Sequence, residues 1–311
     1  MVRIGSFALA SLLVAGAVGC SGDDSITGTA KGSAQVFVVA EETISGGLEA
    51  GTGEENIQDG WAVSYSKFLV SIGNFRAKSS QTGKEVKDST VWILDLKNAP
   101  ATGVVTASFA DLDAVRFDKV GEDMPVPTAS AKSGPGLSDA DRKLMIDGGY
   151  SVFVEGTMSK TDGQSCKPGT TDCVAAKEIK FKWGFAMGTS FDDCASAQGD
   201  TGFAVPSGGV VQVKPTIHGD HWFFSDLTEG AEVTNRYAQF IADADLDRNG
   251  ETTIDELKAV KATDAFPTSK YKLSGGVDGP IATAWDYVRS QARTVHDFQG
   301  DGECPTRTVL K

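Results

Sequence analysis

The 311-residue chain is short of basic residues and of histidine: 29 Lys plus Arg stand against 42 Asp plus Glu, with three His. A net charge of −13 without any basic cluster excludes a nucleic-acid partner, because phosphate binding needs clustered Lys and Arg. No Gly-x-Ser-x-Gly elbow, His-Glu-x-x-His pair, phosphate loop, dinucleotide fingerprint or Cys-x-x-Cys-His haem site occurs. The leading expectation is therefore a non-enzymatic protein. Catalysis by a dispersed His triad or by paired carboxylates stands behind it as a third class of reading. Nor does any apolar run reach the roughly 20 residues that a membrane-spanning helix needs. What the chain has is 40% hydrophobic and 23% charged residues, the balance of a globular protein. Its 36 Gly predict many turns and short strands.

Residues 1–19 predict a secretory signal peptide: Arg3 gives the basic start, and residues 4–18 are apolar or small. The segment ends Ala17-Val18-Gly19-Cys20, which resembles the bacterial lipobox. That resemblance implies cleavage before Cys20, lipidation of its thiol and a lipid bilayer as partner. Ser21, where an Asp would act as a retention signal, implies the outer membrane. Removing residues 1–19 takes away one Arg and leaves a net charge of −14. A Gly-, Ser-, Thr- and Asp-rich tether follows over residues 20–34. With Cys20 lipidated, Cys166, Cys173, Cys194 and Cys304 remain, an even number that predicts two disulfides in an exported chain. Three pairings are open. The turn-rich Lys-Pro-Gly-Thr-Thr-Asp between Cys166 and Cys173 favours a local bridge there, with Cys194 joined to Cys304.

Residues 35–225 are expected to form an antiparallel β-sandwich. Strands are predicted at 35–40, 61–75, 91–96, 104–109, 113–118, 150–158, 176–187 and 208–217, each bounded by turn-forming residues. The alternation in 177–183 puts Ile179, Phe181 and Trp183 on one face. A long loop over 121–149, with a short helix capped at Ser138, is expected between them. Residues 226–311 change texture and predict a helical appendage, with helices at 229–243, 254–260 and 281–298.

The most specific motif is loop 245–256. Asp245, Asp247, Asn249, Glu251, Thr253 and Glu256 occupy positions 1, 3, 5, 7, 9 and 12 of an EF-hand calcium loop, with Gly250 at position 6. The bland alternative is a solvated acidic loop. Position 8, where an apolar residue usually pairs with a second hand, is Thr252. A lone hand in an exported protein suits a structural calcium, in the range of about 10⁻⁴ to 10⁻³ M.

His218 and His221 share the stretch Thr216-Ile-His-Gly-Asp-His-Trp222, and His296 sits near the end of the last expected helix. A Cys194–Cys304 bridge would draw His296 towards the other two. Three imidazoles can then hold copper or zinc with a fourth position open, Gly219 supplying the bend and Asp220 orienting a ring. The alternative is that all three are structural, in a calcium-stabilised surface module that binds another ligand.

Residues 60–120, which run strand, Gly-containing turn, strand, Val91-Trp-Ile-Leu-Asp-Leu96 and Ala114-Val-Arg-Phe-Asp118, resemble the MbnP-like copper-binding proteins. The resemblance covers about a third of the mature chain. It implies an immunoglobulin-like sandwich and copper held by His, with Trp222 the Trp placed to contribute. That family does not ordinarily carry an EF-hand appendage. His218-Gly-Asp-His221 and the ending Phe298-Gln-Gly-Asp-Gly-Glu-Cys304 also resemble EF-hand lipoproteins of myxobacteria-like organisms, which implies no particular activity.

Overall fold

In the computed structural model, which describes residues 30–228, 235–274 and 278–310, strand outweighs helix by 43% to 15%. Sheets therefore carry the core. The signal segment, Cys20 and tether residues up to 29 lie outside the described residues, as do residues 229–234 of the first expected helix. Residues 31–34, expected in the tether, belong to strand Lys31–Ala40. Its alternation turns Ala34, Val36 and Val38 inward.

The larger sheet curls into a half-barrel. Its spatial order is Glu251–Thr252, Glu178–Phe185, Val152–Ser159, Ala62–Lys78, Lys119–Met124, Gly188–Asp192 and Thr306–Leu310. Strand Glu85–Asp95 also pairs with Ala62–Lys78. In Glu178–Phe185 the expected alternation holds: Ile179, Phe181 and Trp183 are buried while Glu178, Lys180 and Lys182 are exposed. On the opposite face, helix Asp139–Gly148 covers Leu69, Ile93 and Phe153 with Met145. Ser138 caps that helix by accepting from the Asp141 amide at 3.0 Å. The expected long loop thus contains this helix, and its first residues belong to strand Lys119–Met124.

The smaller sheet departs from an all-antiparallel arrangement. Lys31–Ala40 pairs antiparallel with Val104–Asp113 but parallel with both Val210–Val213 and Pro215–Ile217. Parallel neighbours need a long crossover, and here some 170 residues of intervening chain provide it. The sheets are mixed.

Two helical expectations are corrected. Helix 229–243 is reduced, among the described residues, to Gln239–Asp243. Helix 281–298 stops at Ala292, in Ala284–Ala292, and residues His296–Phe298 form a strand paired with Pro215–Ile217. The C-terminal part is consequently no separate appendage. His296–Phe298 joins the smaller sheet, while Glu251–Thr252 and Thr306–Leu310 occupy the two edges of the larger one. Phe240, Leu257, Tyr287 and Val288 share one continuous core with Val36, Phe68 and Trp183. Both expected disulfides form, Cys166–Cys173 and Cys194–Cys304.

Candidate functional site

Two places gather chemistry. The first lies where Pro215–Ile217 ends against His296–Phe298. Thr216 pairs with Asp297 and Ile217 with His296, so these two neighbours point to opposite faces of the sheet. After Ile217 the chain turns through His218 and Gly219 into the single 3₁₀ turn His221–Phe223. The turn requires glycine: a Cβ on Gly219 would lie 2.8 Å from Ile44 Cγ1 and 3.2 Å from Tyr65 Cε2. It brings the His218 and His221 rings to 5.1 Å between centroids.

Hydrogen bonds fix that turn from behind. Tyr65 donates its hydroxyl proton to the Gly219 carbonyl and accepts from Trp222 Nε1 at 3.0 Å. Gly219 N donates to Thr43 Oγ1 at 3.1 Å, and Thr43 donates to Glu41 Oε2. The same Glu41 oxygen lies 3.4 Å from His218 Nδ1. On its other nitrogen, His218 Nε2 lies 3.3 Å from Asp297 Oδ2, without the alignment of a hydrogen bond. His221 Nδ1 is 2.7 Å from Thr294 Oγ1, whose own proton goes to the Gln291 carbonyl at 2.8 Å. Thr294 must therefore accept here, which puts the His221 proton on Nδ1 and the lone pair on Nε2. Asp220, fully buried, spends Oδ2 on Arg236 Nε at 2.6 Å, while its Oδ1 lies 4.0 Å from both His218 Nδ1 and His221 Nε2.

His218, His221 and Thr294 line a cavity of about 580 Å³ whose wall includes Glu41, Arg236, Asp297 and Glu303. Burial opposes a charge on His218, yet Glu41, Asp297 and Asp220 overcome it and hold its pKa up at about 10. Burial, reinforced by the positive charge of His218, pushes His221 well below the usual histidine range. Burial raises Asp297 to about 8, with His218 offsetting part of the shift and Glu303 adding to it. Two imidazoles in one cavity thus have opposite proton affinities.

The three-histidine set is corrected. His296 faces away from His218 and His221: its Nε2 lies 3.4 Å from Glu122 Oε2, its ring stacks on Phe191 at 4.5 Å, and Nδ1 is 3.7 Å from Cys304 Sγ. The Cys194–Cys304 bridge does draw His296 inward, but strand alternation gives the place beside His218 to Asp297. Trp222 does not face the cavity either; it is fully buried and stacks on Phe68 at 5.7 Å. Asp297, Glu41, Thr294 and Arg236 were not legible as site residues. A strand reading of His296-Asp297-Phe298 would have found the first, whereas the others come from distant segments.

The second place is loop 245–256. Side-chain oxygens of Asp245, Asp247 and Glu256 lie within 4.8 Å of one another. Asp245 accepts from the amides of Asn249 at 3.0 Å and Gly250 at 2.9 Å, which winds the loop around that carboxylate. Gly250 has φ +84°, where a side chain is strained. Asn249 Oδ1 accepts from Glu251 N at 2.8 Å. Thr253 caps helix Ile254–Ala259 and forms a capping box with Glu256. Burial pushes Asp245 up, the Gly250 and Asn249 amides offset part of this, and Glu256 and Asp247 add to it. A cation among the three carboxylates would relieve that repulsion.

Thr252 of this loop is paired with the main sheet. Glu251–Thr252 pairs parallel with Lys180 and Phe181. Thr252 donates to the Ile241 carbonyl at 2.6 Å, and its own carbonyl accepts from Trp183 Nε1 at 3.0 Å. The hydroxyl thus satisfies a carbonyl at this buried position.

Comparisons with family descriptions, curated proteins and solved structures gave no match to this chain.

Proposed function

We propose that this chain is a non-enzymatic, exported lipoprotein, anchored through Cys20 to the outer membrane, whose ligand-facing body is held in shape by one calcium ion in loop 245–256. Its two sheets serve as a modified sandwich, and the loop with its flanking helices acts as an EF-hand fused to the sheet edge. The observation that carries the reading is the stitching of the loop: the Gly250 carbonyl accepts from Lys180 N at 2.8 Å, next to the Glu251–Thr252 pairing. An ion that fixes this loop therefore fixes the edge of the main sheet and the start of the C-terminal segment. Such a design suits a structural ion better than a switch, because the position-8 pairing that couples two hands is already used. The cavity of about 580 Å³ beside His218 favours a ligand-binding module over a purely architectural one.

Limited proteolysis tests this reading. Calcium should protect residues 245–256 from cleavage, and a chelator should open them while the Cys166–Cys173 region stays intact. Cleavage indifferent to calcium would refute it. Palmitate labelling lost on Cys20→Ser is the matching expectation for the anchor.

A further inference from the structure

We propose that His218, His221 and Asp297 form a binding site for a divalent first-row transition metal of the zinc type at the floor of the cavity. One ligand atom from each of the three lies within 4.8 Å of the others, and all three residues are buried. An ion with bonds near 2.0–2.1 Å in tetrahedral geometry separates its ligands by about 3.3 Å. His218 Nε2 and Asp297 Oδ2 already stand 3.3 Å apart.

A second, independent observation concerns polar atoms without partners. His218 Nε2, Asp297 Oδ1 and Asp220 Oδ1 are buried and have no hydrogen-bond partner among the described residues. Burying polar groups without partners is unfavourable, so these atoms, two of them on residues that line the cavity, call for a ligand. The two rings are also oriented as metal-binding imidazoles are. His221 gives its Nδ1 proton to Thr294, leaving Nε2 free to coordinate, and His218 turns Nδ1 to the Glu41 carboxylate.

The donor set selects the class of ion. Two nitrogens and one carboxylate suit zinc and its neighbours, whereas calcium and magnesium take oxygen alone. Soft ions favour thiolate or thioether sulfur, which this donor set lacks, and Cys166, Cys173, Cys194 and Cys304 are all in disulfides. Three protein ligands leave a fourth position facing the cavity for an exchangeable small ligand. The site shares no residue with loop 245–256 and does not depend on the calcium reading.

Cobalt titration of the mature chain, stripped with chelator and then resupplied with calcium, tests the proposal. The expected result is one Co²⁺ per chain with the intense visible absorption of a four- or five-coordinate site, displaced by Zn²⁺. His221→Ala and Asp297→Asn should each weaken binding at least about 100-fold, and Thr294→Val, which frees the ring proton, about 10-fold. His296→Gln and Glu256→Gln should leave it unchanged, the latter separating this site from the calcium loop. Where His221→Ala or Asp297→Asn fails to give a cooperative melt, Thr294→Val decides. Absence of cobalt binding, binding that survives the His221 and Asp297 substitutions, or binding lost only with His296→Gln would overturn the proposal.

Discussion

Glu256→Gln separates the capping role of this carboxylate from its proposed role in holding calcium. Glu256 Oε2 accepts from Thr253 N and Thr253 Oγ1, both at 2.8 Å, closing the capping box; Oε1 accepts from Leu246 N at 2.9 Å. A glutamine keeps an oxygen for the box, but its neutral amide cannot chelate an ion with two oxygens. With a dissociation constant of about 10⁻⁴ to 10⁻³ M, calcium at ~10 mM stabilises the folded chain by about 1.4–2.7 kcal/mol. For a chain of this size that corresponds to a rise in Tm of about 2–5 °C. Wild type should show this rise in a thermal melt followed by circular dichroism. Glu256→Gln should melt within about 2 °C of wild type in chelator and lose the calcium response. Glu256→Ala, which also removes the box, should lose about 0.5–2 kcal/mol even in chelator. A calcium response as large in Glu256→Gln as in wild type would refute the reasoning.

The two disulfides should differ in weight. Loop-closure entropy gives about 5 kcal/mol for Cys194–Cys304, whose ends are 110 positions apart, and about 2 kcal/mol for Cys166–Cys173, seven apart. Urea unfolding of the paired Cys→Ser variants should rank them in that order, and the reverse ranking would contradict it. Glu122 is buried with Oε1 unpartnered, and burial holds its carboxyl above the ordinary range although His296 offsets part of this. A folded pKa above the unfolded one means that its contribution is complete below about pH 4.5 and is lost as pH rises. Glu122→Gln should therefore gain stability over wild type progressively as pH rises above about 4.5; a gap that narrows with rising pH would contradict the assignment.

Local patterns made part of this molecule legible. The alternation of Ile179, Phe181 and Trp183, the turn between Cys166 and Cys173, and the oxygen spacing of loop 245–256 are each written within a dozen residues. The last helix shows how such a pattern misleads. Ala284, Tyr287, Val288, Ala292 and Val295 keep helical spacing past the end of the helix at Ala292, and Val295 is buried for a different reason, as it leads into a strand. The expected Cys194–Cys304 bridge placed His296 in the metal set, and the helical overrun hid Asp297, since a helix and a strand put neighbouring residues on different faces. The partners of the site were illegible on other grounds. Glu41, Arg236 and Thr294 reach it from three distant segments, and the parallel pairing of Lys31–Ala40 with Val210–Val213 depends on a strand far along the chain. The role of Thr252 likewise emerges only when Trp183 and Ile241 are seen around it.

The proposed calcium ion in loop 245–256 would secure the C-terminal segment to the main sheet. A calorimetric titration of calcium into the chelator-stripped mature chain tests it most directly. One site per chain, with a dissociation constant of about 10⁻⁴ to 10⁻³ M and abolished by Asp245→Ala, is the result the account requires. No heat of binding, or binding undiminished in Asp245→Ala, would contradict it.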